Sequence, residues 1–199
     1  MKVIGVTGGV GAGKSEILNF IADNWNATVV EADEVGYLVM KPGKSCFAPI
    51  VELFGPAILQ ADGTLDRAKI AQMVFEDKEL LEKLNAIVHP AVKKYIRKAI
   101  EREKENETDF FIVEAALLIE DKYDEICDEL WYIYADEEVR KERLIEGRGY
   151  SEKKVREIMA NQLSEDEFSS HCDFEIDNSG DFEETKKQLD HRMKKYETL

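Results

Sequence analysis

Residues 2–8, KVIGVTG, make a short apolar run that ends on glycine, and from Lys14 onward Ile17, Leu18, Ile21 and Ala22 recur at helical spacing. The pattern predicts strand, glycine loop, helix. ATVVEAD (27–33) reads as a second strand that finishes on two acids. Helical patterns dominate residues 34–100, broken at KPGK (41–44), FGP (54–56) and ADGT (61–64), and Val92, Ile96, Ala99 and Ile100 line one stripe of the last helix. A polar gap at 101–109 precedes the strand FFIVEAALLI, and ELWYIYA (129–135) follows as another. Asp136 and Ser151, both suited to N-capping, open two further helical segments. DFEIDNSG (173–180) reads as a short strand and turn, and the closing segment 181–197 repeats apolar positions at Phe182, Leu189 and Met193. Strands alternating with helices imply a parallel sheet covered on both faces.

The chain has 199 residues, enough to bury about 70% of the surface that its unfolded form exposes. Its longest apolar run, Phe110–Val113 continued by Ala115–Ile119, is interrupted by Glu114 and is too short to span a membrane. The N-terminus lacks the basic, apolar, small-residue order of a secretory signal, so a cytoplasmic location is expected. Cys46, Cys127 and Cys172 are odd in number and widely spaced, which suggests neither a disulfide framework nor a zinc site. The net charge of −15 argues against nucleic acid or anionic membrane as a partner, since both reward a basic face. A polyanionic ligand must therefore be held locally, by the few clustered cations.

Gly8-Gly9-Val10-Gly11-Ala12-Gly13-Lys14-Ser15 matches G-x-x-x-x-G-K-[ST] at every specified position and lies between the predicted strand and helix. Glycines let the backbone N–H groups turn in around phosphate, the helix N-terminus adds its positive end, Lys14 reaches the outer phosphates, and the Ser15 hydroxyl can ligate Mg²⁺. Residues 9–16, from Gly9 through Glu16, are thus the expected contacts for ATP or GTP. Switches, motors and kinases share this loop. The guanine-reading N-K-x-D is absent from the sequence, and the chain is short for a motor. Asp33, at the end of the second predicted strand, stands where ligands bind in parallel sheets. It could take a proton from an attacking hydroxyl or cap the following helix, and spacing alone leaves both open. Glu31 is the lesser candidate, on the same strand face but deeper.

TGGVGAGKS, EAD, FGPAILQADGTLDR, VFED, LNAIVHP, EAALLIE, RKERLIEGRGYS, NQ and DNSG follow one another in the order and spacing of the dephospho-CoA kinases, and the chain resembles that family over about residues 3–180. The resemblance implies an α/β protein with a three-layer α/β/α P-loop NTPase fold. In it, a parallel five-stranded sheet carries a helical acceptor-binding insertion and a lid. The nucleotide-binding core would comprise about 1–33, 101–136 and 166–199, the acceptor region about 34–100 and the lid about 137–165. The implied reaction moves the γ-phosphate of ATP, with Mg²⁺, to the ribose 3′-hydroxyl of dephospho-CoA, the last step of coenzyme A synthesis. ATP and dephospho-CoA would be its partners, and a monomer or small homo-oligomer its state.

The resemblance makes Asp33 the group that activates the acceptor hydroxyl and Arg67 a contact to acceptor or transferred phosphate. From the residues alone, Arg67 could equally pair with Asp62 or Asp66. Arg143 and Arg148 match the lid arginines, which would stabilise the transferring group, although nearby glutamates offer helical partners. Arg143 follows Val139 by four residues, sharing a face with an apolar side chain. Arg140 stands where the family more often has an uncharged polar residue and receives no role. Gln162 shares a stripe with Val155, Ile158 and Met159, a place for an amide only if it has a partner. Asn178 matches an asparagine near the nucleotide base. His89-Pro90 is read as shaping the acceptor helices, and Glu114 as a water-mediated Mg²⁺ contact. Ala116, Gly36 and Tyr37 depart from the family pattern.

Overall fold

The computed structural model describes residues 1–197, which divide into two compact units, residues 1–29 with 103–197 and residues 30–102. In chain order the first contains β1 (Lys2–Thr7), α1 (Lys14–Asn24) and most of β2 (Ala27–Glu31). The second contains α2 (Ala32–Val39), α3 (Phe47–Phe54), α4 (Arg67–Glu76) and nearly all of α5 (Lys78–Glu105). The chain then returns to the first unit with β3 (Phe110–Glu114), β4 (Glu129–Tyr134), α6 (Glu137–Arg148), α7 (Glu152–Ala160), α8 (Glu165–His171), β5 (Phe174–Asp177) and α9 (Phe182–Glu197).

The five-stranded parallel sheet has the order β2-β3-β1-β4-β5. β1 runs at the centre, pairing Ile4 with Ile112 on one side and with Glu129 on the other. Alternation along the strands sends Ile4, Val6, Ile112, Trp131, Ile133 and Ile176 to one face. There they pack against Ile17, Leu18 and Ile21 of α1 and Leu189 and Met193 of α9. On the other face Tyr132 stacks on Phe168 of α8, with ring centroids 4.9 Å apart and planes 11° apart. Both faces are thus apolar, as a parallel sheet requires.

Several boundaries differ from the sequence reading. The second strand stops at Glu31, so Ala32 and Asp33 open α2 instead of closing the strand. β3 stops at Glu114, and 115–122 forms turns in place of the continued strand, with Lys122 N–H bonded to the Ile119 carbonyl and Tyr123 N–H to that of Leu118. Leu118 and Tyr123 are nevertheless buried, which explains why the segment reads as apolar. The short helix α8 is an addition to the predicted elements. Its start is fixed by a reciprocal capping box, Ser164 with Glu167, a signal that the sequence does carry.

In the second unit α5 runs 28 residues straight through Pro90. Pro90 is exposed, so water can reach the backbone carbonyl that the ring leaves without a donor. Val92, Ile96, Ala99 and Ile100 are all buried, as their spacing predicts. A carbon on Gly36 of α2 would lie 3.9 Å from Val92, so these two helices meet at that point. The Cys46 thiol is buried against the Ile87 carbonyl, and burial pushes its pKa up.

At the start of β4 sits a charge cluster that sequence reading passed over. Glu129 accepts hydrogen bonds from Arg192 Nη2 at 2.7 Å, Trp131 Nε1 at 3.2 Å and the Tyr196 hydroxyl, and Lys2 Nζ lies 3.2 Å from its other oxygen. Burial by itself would raise the Glu129 pKa, but these donors outweigh it and hold it at about 2, against the ordinary 4.5. A depressed carboxylate pKa contributes stability that is present above pH 4.5 and lost as pH falls toward about 2. Glu129→Gln is accordingly expected to lower the melting temperature at neutral pH, by about 2 kcal/mol of stability, and the gap from wild type should close across that acidic window. Thermal melts followed by circular dichroism at stepped pH check this; a constant gap at all pH values would contradict it.

Candidate active site

The loop between β1 and α1 is shaped by glycine where other residues would be strained. Gly8, Gly11 and Gly13 have φ of 149°, 86° and 87°. Ala12 N–H bonds the Gly9 carbonyl at 3.1 Å, and Glu16 N–H and Ile17 N–H both bond the Gly13 carbonyl. Among the described residues, the N–H groups of Gly11, Gly13, Lys14 and Ser15 donate to no protein acceptor. Four backbone donors at the positive end of an eleven-residue helix suit an oligophosphate.

Lys14 Nζ donates to the Gly8 carbonyl at 2.8 Å and lies 3.6 Å from Glu114 Oε1 at the end of β3. Burial lowers the pKa of Lys14; Glu114 opposes this, and the guanidinium groups of Arg140 and Arg148 add to it. Arg148 is exposed at the end of α6 and is near enough to influence Lys14. Ser15 and Glu16, in the first turn of α1, are not buried. Glu114 engages the loop lysine directly.

Arg143 is half-buried. Its Nη2 donates to the Asn178 carbonyl at 2.9 Å, while Nη1 is buried without a protein acceptor, 3.6 Å from where a Gly13 side chain would begin. An unpartnered buried guanidinium N–H beside the phosphate loop is a second feature suited to an anion. Asn178, 1% exposed, gives its amide N–H to the Ala12 carbonyl at 2.7 Å and accepts from Thr185 at 2.9 Å. Its side chain therefore ties the end of β5 to the loop from within the protein.

In the second unit Asp33 is exposed, one residue into α2. The position before the helix is Glu31, which makes no side-chain cap, so Asp33 is not the cap that spacing allowed. Arg67 stacks on the ring of Tyr37, with its guanidinium carbon 3.5 Å from the ring centre. Its acidic alternatives are engaged elsewhere: Asp62 accepts from Thr64, and Asp66 caps α4 at Lys69 N–H. Asp33 and Tyr37 stand one helical turn apart, so Arg67 covers the face of α2 that carries Asp33. His89 is half-buried in α5.

Arg140 is the residue that sequence reading missed. It is 7% exposed and lies against the loop, Nε donating to the Val10 carbonyl at 3.1 Å and Nη2 to Gln162 Oε1 at 2.8 Å. Gln162 lies beyond the end of α7 and not on its stripe, and its oxygen also accepts Val10 N–H at 3.1 Å. The amide thus has the partners its setting demanded. The signal for Arg140 was its four-residue spacing from Leu144, which is 1% exposed and marks the buried face of α6.

The dephospho-CoA kinase family model matches residues 2–184. A dephospho-CoA kinase of Aquifex aeolicus is 39% identical over 199 residues, covering 100% of this chain and 98% of its own. One of Geobacillus kaustophilus is 35% identical over 196 residues, covering 98% and 97%. The crystal structure of TT1252 from Thermus thermophilus superposes with a TM-score of 0.80 at 26% identity, over 98% of this chain and 97% of that one. Phosphate loop, partnerless backbone donors, buried arginine and a family match that spans both compact units lead to one statement: the chain belongs to the dephospho-CoA kinase family.

Proposed function

We infer that the protein transfers the γ-phosphoryl group of ATP to the ribose 3′-hydroxyl of dephospho-CoA, giving CoA and ADP in the last step of coenzyme A synthesis. The observation that carries this is the family match across residues 2–184, and the geometry of the phosphate loop supports the donor side.

In the proposed mechanism the N–H groups of Gly11, Gly13, Lys14 and Ser15 and the Lys14 ammonium hold the β and γ phosphates. The contact with Glu114 and the Gly8 carbonyl keeps Lys14 aimed there. Asp33 orients the attacking hydroxyl and accepts its proton, and Arg67, held flat on Tyr37, meets an acceptor or transferred phosphate. Arg143 and Arg148 stabilise charge on the moving group, which gains more from positioning and electrostatics than from covalent chemistry.

Mg²⁺ fits this site through the Ser15 hydroxyl, with Glu114 acting through water. Among the described residues no group of three or more His, Cys, Asp or Glu is arranged to hold a metal, so the ion would take its other ligands from phosphate and water, as Mg²⁺ does. When bound, it would supply positive charge to offset that of the transferring phosphoryl group. We place the reaction in the cytoplasm, by a monomer or small homo-oligomer with no nucleic-acid or membrane partner. The charge of −15 supports the last point, and no helix among the described residues is long and apolar enough to cross a membrane.

ADP release coupled to NADH oxidation is expected to depend on dephospho-CoA, with CoA appearing in equal amount by mass spectrometry. Preference for AMP or a shikimate-like alcohol, or ATP hydrolysis as fast without acceptor as with it, would overturn the assignment.

A further inference from the structure

Both backbone groups of Val10 are engaged from outside the phosphate loop. The carbonyl accepts from Arg140 Nε at 3.1 Å, the N–H donates to Gln162 Oε1 at 3.1 Å, and Arg140 Nη2 joins the two by donating to that same Oε1 at 2.8 Å. The three residues form a closed triangle around one peptide segment, drawing on the loop, α6 and the turn after α7. α6 also lies close in below: a side-chain carbon on Gly9 would fall inside the Arg140 guanidinium, and one on Gly11 would lie 2.8 Å from the Arg140 carbonyl oxygen. Leu144, one turn further along and 1% exposed, anchors that face of α6.

A glycine loop left to itself samples many backbone conformations, and ordering it costs free energy at the moment a ligand binds. Holding one of its peptides in place beforehand reduces that cost. Arg140 is suited to such holding because its planar fork donates in two fixed directions, which a lysine ammonium on a flexible stem does not reproduce.

We propose that Arg140 and Gln162 form a latch on the tip of the phosphate loop, with Arg140 a positioning residue that pre-sets the loop for ATP. In this arrangement the guanidinium is taken up by Val10 and Gln162, and the residues that contact the transferring group are others. The proposal rests on the chain binding ATP, not on which acceptor it phosphorylates.

The test compares Arg140→Ala, Arg140→Lys, Gln162→Ala and the double variant R140A/Q162A. Binding of ATP is measured without acceptor, together with hydrogen exchange at the Val10 amide and turnover at saturating substrates. Each single change is expected to weaken ATP binding about tenfold. The double variant should be no weaker than its worse parent, because both act through Val10. Val10 exchange should accelerate in all of them, and turnover at saturation should stay within about threefold of wild type. Arg140→Lys should behave like Arg140→Ala, since charge without the fork does not rebuild the triangle. Collapse of turnover with ATP affinity and Val10 exchange unchanged would instead make Arg140 a phosphate-contacting residue and overturn the latch. Rescue by lysine, additive losses, or unchanged affinity and exchange would overturn it equally. Should Arg140→Ala fail to fold, Gln162→Ala, which opens the triangle from the half-buried side, decides alone. Wild-type ATP binding without phosphorylation of dephospho-CoA would refute the acceptor assignment and leave the latch standing.

Discussion

Asp33→Asn is expected to lower turnover by roughly 10² to 10⁴ while leaving ATP affinity unchanged. The substitution keeps size and polarity and removes only the capacity to take a proton. Asp33 is exposed and makes no helix cap, so the change should barely affect folding; the loss of one acidic group from the first turn of α2 is worth about 0.5 kcal/mol. Turnover and ATP dissociation constants measured on the same preparation separate the two effects. Turnover within about tenfold of wild type would remove Asp33 as the proton acceptor and leave it an orienting group at most.

Gly8→Ala is expected to give the largest stability loss of any single methyl addition in the loop. The added carbon would meet the backbone carbonyl oxygen of Ile133 well inside van der Waals contact, at a φ of 149° that L side chains rarely adopt. Neither partner is a flexible side-chain end, so β1 or β4 must move. The expected cost is about 3 kcal/mol, with loss of ATP binding as well, because the Gly8 carbonyl is the acceptor for Lys14 Nζ. Gly43→Ala is the control. That glycine also has a positive φ, 78°, but open space around it, so only the conformational penalty of about 1 kcal/mol applies. Urea unfolding of both variants tests the comparison, and equal losses would show that contact with Ile133 contributes nothing.

The contrast between Arg140 and Arg143 shows how far a sequence can be read here. Spacing from Val139 singled out Arg143, and the structure does place that side chain half-buried beside Gly13. Arg140 received no role because the family more often has an uncharged polar residue there, yet it is more deeply buried and makes more contacts with the loop. Periodicity says which residues share a face, but Val139 and Leu144 mark two adjacent faces of α6, and only packing decides which is the inner one. Glu129 was overlooked for a related reason: Arg192 and Tyr196 lie more than sixty positions away, so no local pattern announces the cluster. Arg67 offers the converse case. Neighbouring acids suggested an ion pair, yet those acids serve the turn and the cap of α4, leaving the guanidinium to the ring of Tyr37.

By itself the sequence determined the local features: the strand, glycine loop and helix of the phosphate-loop motif, the apolar stripe of α5, the cap of α7, and the family to which the chain belongs. These follow from backbone geometry and short-range periodicity, which a linear string records. Tertiary structure alone decided the strand order β2-β3-β1-β4-β5, the end of β3 at Glu114, and the closing of Arg140 and Gln162 on Val10. Those depend on groups up to 152 positions apart meeting in space, and nothing in the local pattern specifies which distant groups will meet.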